Sequence, residues 1–402
     1  MRWRHEYGGT IACRPCEDDG IVYFGCDNYF FYALNAETGE EIWSFKSGGC
    51  AGNYTPMVIG RVVFFGSYDG FLYALDKKTG MILWKFRTGD RVVPGVAAYD
   101  GKIVFGSSDG YVYCLDLEGN EIWRFRTGDE VVSTPVIVEG RIYIGSYDSS
   151  MYCLGMEGNE IWRFRTGGAI GNVAPVNIYG DKIFFGSWDL NMYCLDRVNG
   201  KEIWRFNAGR GILSGGAVFN GVLYFGSKMD CLHAVDIETG KELWRIKTGH
   251  HTHASNVATY KGRIYFGGGE DGYERGLIEC VEPDGKEIWR FVTNGPSWVG
   301  PYINNGKLFA GSWNCYFYRL DPDTGKEIWK FRTGGTPSKE KVIDHSEVAL
   351  VTIITGEGVF REEERGEKYS PMPEIEISED LYETKSEYSF GSKTYKVESG
   401  YR

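Results

Sequence analysis

Glutamine is absent from all 402 residues, no two cysteines are adjacent, and no apolar run approaches the roughly 18 residues a membrane helix needs. The last absence excludes a spanning helix. The first is a compositional mark of a hot-environment origin. Basic residues are outnumbered, 44 against 55 acidic ones, for a net charge of −11. A nucleic acid or an anionic membrane surface is therefore not expected as partner, since both need basic patches. The first residues, MRWRHEYGGTIACRPCEDDG, contain no apolar core, so a signal peptide is not expected. Ten cysteines in such a chain read as free thiols, and the expected setting is cytoplasmic. No glycine-rich phosphate loop, no GxSxG and no Ser–His–Asp arrangement stands out, and no residue set is marked as catalytic.

What is present is a repeat. Aromatics reach 15% and glycines number 56. Trp3, Trp43, Trp84, Trp123, Trp162, Trp204, Trp244, Trp289 and Trp329 are spaced by 40, 41, 39, 39, 42, 40, 45 and 40 residues. A period near 40 with strand-like contents marks a repeat architecture. In one unit, KIVFGSSDG (102–110) is a strand and turn, and YVYCLD (111–116) alternates with period two. Tyr111, Tyr113 and Leu115 then share one face, as do Trp123 and Phe125 in EIWRFRTG. A further strand lies in VVSTPVIVEG (131–140), which gives four antiparallel strands, A to D in chain order. Such sheets must stack to bury both faces, and a closed stack is a β-propeller.

Asp76, Asp116, Asp196, Asp236 and Asp321 each end a C strand, where a carboxylate accepts N–H bonds from the turn. Gly39, Gly80, Gly200, Gly240 and Gly325 supply positive φ before the D strand. The segment GSYDGFLYALDKKTG…WKFRTG (66–89) resembles the repeat of the pyrroloquinoline-quinone (PQQ) propeller superfamily, over residues 3 to 335. That resemblance implies a tryptophan lodged against the neighbouring blade. It also covers dehydrogenases, assembly factors and sensors. The dehydrogenases carry a vicinal cysteine pair, a calcium site and an export signal, and the envelope-assembly lipoproteins carry an export signal and a lipid-bearing cysteine. This chain displays none of these, so resident PQQ is not expected.

The expected fold is all-β, an eight-bladed propeller over 1–335, with an extra outer strand at Trp3. Nine blades are the alternative, with KVIDHSEVALVTIITGEGVF as a degenerate A–B–C set. Residues 336–402 form an acidic extension, with a solvated linker at 361–380 and a hairpin around Gly391–Ser392. From Gly335 onward there are nine basic and 15 acidic residues.

Strand alternation puts the B–C turns and the D–A crossings on one face, where the units differ most. Binding is therefore expected from Asn28, Tyr68, Asp69, Tyr147, Asp148, Trp188, Asp189, Trp313 and Asn314 in the turns, with the aromatic rings projecting. Arg210, His251, His253 and Trp298 join them from the crossings, beside Cys50, Arg91 and Glu130. His251 and His253 also have a workable spacing for a metal. Cys114, Cys153 and Cys194 fill a small slot in the C strand, and Cys231, Cys280 and Cys315 fall near it.

Cys13, Cys16, Cys26 and Cys50 converge on the rim of blades one and two, with Cys13 at the start of an A strand. They are a candidate zinc or iron site. Pro15 recurs as Pro56, Pro135 and Pro175, so CRPC is repeat grammar and no redox motif. The expected function is a cytoplasmic binding or scaffold propeller that offers its varied face to a protein or small-molecule ligand, with no resident cofactor. A metal-binding or redox-sensing propeller using those thiols is the alternative, and a quinone-dependent dehydrogenase the second.

Overall fold

A computed structural model describes residues 9–51, 55–171, 175–213, 215–228, 231–248, 257–269 and 275–334, with the backbone alone at 352–355. The expectations for Trp3, for His251 and His253, and for the rest of the tail lie outside these residues. All that is described belongs to the compact unit Met1–Gly358.

The repeat folds as its alternation predicts. Blade one is Cys16–Asp18, Ile21–Gly25, Phe30–Asn35 and Glu41–Lys46, each strand antiparallel to the next. Blade eight is Tyr302–Asn304, Lys307–Gly311, Tyr316–Leu320 and Glu327–Arg332. Six sheets of the same A–B–C–D order lie between them, so the protein is an eight-bladed β-propeller. The nine-blade alternative fails. Thr352–Thr355 pairs instead with Glu242–Lys247, the outer strand of blade six, and makes that sheet five-stranded. A β-branched run added to an open sheet edge suits both elements.

The A strands are shorter than the sequence suggests. Only Val136–Val138 of the stretch 131–140 pairs, and Cys13 precedes its strand rather than starting it. Proline, which cannot donate to a ladder, limits them. Pro15, Pro56 and Pro135 stand directly before the first paired residue, whereas Pro175 stands one position earlier. Every D strand carries a β-bulge at its tryptophan. In blade three Cys114 pairs with Trp123 and Leu115 with Glu121, so Ile122 is left over and exposed.

Each blade shares one face with the blade before and the other with the blade after. Tyr113 and Leu115 pack with Phe64 and Leu72 of blade two, while Val112 and Cys114 pack with Ile142 and Ile144 of blade four. The eight hydrophobic clusters are the eight seams. One joins blade eight to blade one, where Phe24 stacks on Phe317 at 4.1 Å between centroids. Burial of large side chains at about 1.5–3 kcal/mol apiece is what holds such a stack.

A tryptophan marks every seam. Trp43 Nε1 donates to the Lys77 carbonyl at 3.0 Å, and Trp123 Nε1 to that of Met156 at 2.9 Å. The glycine of the neighbouring C–D turn is required twice over. Gly80 has φ +71°, and a Cβ there would lie 2.7 Å from the Trp43 ring. The turn aspartates act as expected. Asp116 accepts from the backbone N–H and the side chain of Asn120, which hold its carboxyl below the ordinary value.

Candidate functional site

Among the described residues, backbone bonds tie the B–C turns to the crossings that enter their blades, which builds the varied face. Tyr68 N donates to Cys50 O, Tyr147 N to Glu130 O, Trp188 N to Ala169 O and Trp313 N to Pro296 O, at 2.9–3.1 Å.

The acidic turn residues proposed for binding are engaged by the fold. Asp69 accepts from the Tyr73 hydroxyl at 2.7 Å and, across the seam, from the N–H of Gly48 at 2.9 Å. Asp148 does the same with Tyr152 and Gly128, and Asp189 with Tyr193 and Gly167. Asn28 and Asn314 donate instead to Tyr32 and Tyr318. One polar side chain thus pins a turn and its own C strand, and the three aspartates and Asn28 also reach the preceding blade.

The aromatic residues divide. Tyr147 does not project. Its ring is 8% exposed beneath the next crossing, where a Cβ on Gly171 would fall 1.6 Å from it. Tyr68 is half-buried with the Arg91 guanidinium 5.4 Å above its ring, and Arg91 reaches Glu130 at 3.5 Å. Burial raises the Glu130 carboxyl above its ordinary value. Trp298 and Trp313 meet edge to face at 4.3 Å.

Trp188 stands out at 39% exposed. The Lys228 ammonium, from the next blade's turn, sits 4.4 Å from its ring centroid, a cation–π contact. Gly211 lies under both. Desolvation, and then the charge of exposed Arg210, lower the Lys228 pKa. No carboxylate of the described residues pairs with Lys228. Sequence reading passed over this lysine because its turn, SKMD, looked like one more variant of the common turn.

Two of the four rim thiols are engaged as hydrogen-bond donors. Cys13 donates to the Gly25 carbonyl at 3.3 Å, and Cys50 to Asp27 at 2.7 Å, which Thr10 also contacts. Burial pushes Cys13 up to about 12 and Cys16 to about 11, and raises Cys26 as well. Among the described residues no three His, Cys, Asp or Glu side chains are placed to hold a metal ion.

One arrangement was invisible in the sequence. In blade six Ser227 Oγ and His233 Nε2 are 2.8 Å apart, and His233 Nδ1 is 2.8 Å from Glu242. His233 takes the place that Tyr73, Tyr113, Tyr152 and Tyr193 hold in other C strands, and it stacks on Phe225. The order is that of a hydrolase triad, but Ser227 and His233 are buried. A serine closed to solvent meets no substrate, and the histidine is a buried polar bridge.

A family model described as "Outer membrane protein assembly factor BamB", of the PQQ-like repeat, matches residues 1–93, 69–204, 189–275 and 274–362. Among solved structures, BamB from Moraxella catarrhalis superposes with a TM-score of 0.65 at 16% identity, over 80% of this chain and 96% of that one. The computationally designed Ika8 protein gives 0.64 at 15% identity, over 81% and 97%. Identities so low speak for the fold alone. No curated protein matches the sequence.

Proposed function

The chain belongs to the PQQ-repeat propeller family whose model carries the assembly factor's name, and from that premise we propose that it is a binding or scaffold propeller. Its varied face takes a protein or small-molecule ligand, and the contact centres on Trp188, Lys228 and Arg210. The observation that carries this is the exposed indole beside an ammonium that no carboxylate of the described residues pairs with. An apolar plane and a positive charge suit an acidic or planar group, and neither is needed to hold a seam. Tyr68 with Arg91, and the Trp298–Trp313 pair, extend the same surface. The assembly factor named in the family model gives a precedent for a propeller that works through partners. Ten cysteines, all free, support a reducing, cytoplasmic setting.

The test is affinity capture with wild type, a Trp188→Ala/Lys228→Glu variant and an Ile122→Asn variant on an outer strand. Partners kept by wild type and by Ile122→Asn but lost by the double variant support the reading. Equal recovery by all three would remove the face from consideration.

A further inference from the structure

The propeller axis holds a second feature, separate from the varied face. A cavity of about 360 Å³ is walled by the A strands of blades five to seven, by Ile303 of blade eight and by Arg14 of blade one. Arg14 comes from CRPC, the stretch that reads in sequence as proline grammar. Strand pairing puts it two residues before the first paired position of its A strand. The corresponding residues in other blades are Thr55, Gly95, Thr134, Pro175, Gly215 and Gly300. These close in on one another. The Gly95 N–H donates to Thr134 Oγ1 at 2.9 Å, and a Cβ on Gly95 would lie 3.0 Å from the Thr55 carbonyl oxygen. Among the described positions, a ring of small or compact residues therefore carries one long cation.

Among the described residues that cation has no counter-charge. Arg14 forms no ion pair among the described residues, its Nε is buried without a hydrogen-bond partner, and its guanidinium lies 5.2 Å over the Tyr302 ring. No described wall residue of the cavity is acidic. A guanidinium offers five donors in a planar fork, and leaving one of them buried and unmet costs free energy. Innermost strands bond to only one neighbour, so their other edge carries backbone groups that no strand takes up. Asn177, on that wall, already gives its amide to the Gly216 carbonyl.

We propose that the axial cavity is a binding site for a compact oxyanion, a phosphate or a small carboxylate, held by the Arg14 guanidinium and by free backbone N–H groups of the A strands. The anion completes the donor set that the fold leaves open, and the volume is within the usual range for small-molecule sites. Burial lowers the Arg14 pKa, yet an arginine keeps its charge at neutral pH. Arginine suits the task because its fork meets two oxygens of one ligand, which an ammonium cannot.

The experiment is isothermal titration of the full chain with inorganic phosphate and, separately, with succinate, at constant ionic strength. Saturable binding of at least one is expected, and which of the two binds more tightly separates the phosphate source from the carboxylate source. Arg14→Gln should weaken it at least tenfold, Arg14→Lys should fall between, and the exposed Lys201→Gln should bind as wild type. Thermal midpoints of the variants establish that they are folded; if Arg14→Gln is not, the Arg14→Lys loss carries the comparison. Lack of saturation with both probes would overturn the proposal. So would equal affinity in Arg14→Gln, or an equal loss in Lys201→Gln, which would mark a general charge effect.

Discussion

Trp329, in the last blade, lies against Gly39 in the first, where a Cβ would come within 2.7 Å of its ring. Its Nε1 donates to the Ala36 carbonyl at 3.4 Å. The contact repeats the one between Trp43 and Gly80, but here no described stretch of chain connects the two blades. Among the described residues, blades one and eight are joined by packing, by Arg319 to the Ala36 and Glu37 carbonyls at 3.0 Å, by Asn28 and Tyr32 to the Thr333 carbonyl, and by Lys307 to Glu37 at 2.9 Å and to Glu17 at 3.4 Å.

Trp329→Ala should therefore differ in kind from Trp123→Ala. Each removes an indole at a cost of about 3 kcal/mol. After Trp123→Ala the polypeptide still links blades three and four. After Trp329→Ala the ring can part, so limited proteolysis should cut blade one or blade eight at a rate well above that for Trp123→Ala. Equal rates would mean that packing at the closing seam does not depend on the indole.

Asp69 is expected to behave as a clamp. Asp69→Ala leaves the Tyr73 hydroxyl and the Gly48 N–H without their acceptor, at a cost of about 1–3 kcal/mol. The thermal midpoint should fall while capture of partners persists. If stability holds and partner binding goes, the carboxylate serves a ligand after all.

The architecture was legible because it rests on local periodicities: two along a strand, about 40 between tryptophans. The blade count was harder. KVIDHSEVALVTIITGEGVF has strand character, and nothing in it says that Thr352–Thr355 would join the edge at Trp244 rather than found a ninth sheet. The sites were hardest. Asp69 and Asp148 look like loop acids until the neighbouring blade's N–H is seen to point at them. Tyr147 looks exposed until Gly171 admits its ring. Arg14 and Lys228 hid inside familiar words, because a repeat draws the eye to what recurs. Their surroundings come from residues far apart in the chain.

The thiols should be inert in the folded state. With Cys16 raised to about 11, its thiolate is about one part in a thousand at pH 8. A charged disulfide reagent at that pH should modify the native protein slowly and all ten thiols after denaturation. Linkage fixes the sign at higher pH. Unfolded thiols lose protons near 9 and folded Cys13 only near 12, so the unfolded state binds fewer protons in between. Stability contributed by Cys13 is present below pH 9 and is lost as pH rises toward 12. Cys13→Ala should flatten that part of the stability profile. Rapid labelling of Cys26 or Cys50 at pH 8, with zinc protecting them, would restore the metal reading.

Trp188 and Trp162 give the sharpest comparison, because one residue type stands in opposite surroundings. Trp162 is 9% exposed and donates to the Arg197 carbonyl across a seam, so Trp162→Ala opens a gap in packed structure. Trp188 is 39% exposed and meets mainly Lys228 and Gly211. Trp188→Ala should lower stability by no more than about 1 kcal/mol, the size of an exposed cation–π contact. It should also abolish or severely weaken partner capture, which Trp162→Ala, where folded, should leave intact. A surface tryptophan whose loss costs neither stability nor binding would leave the face without its anchor, and the ligand would have to be sought on the propeller axis.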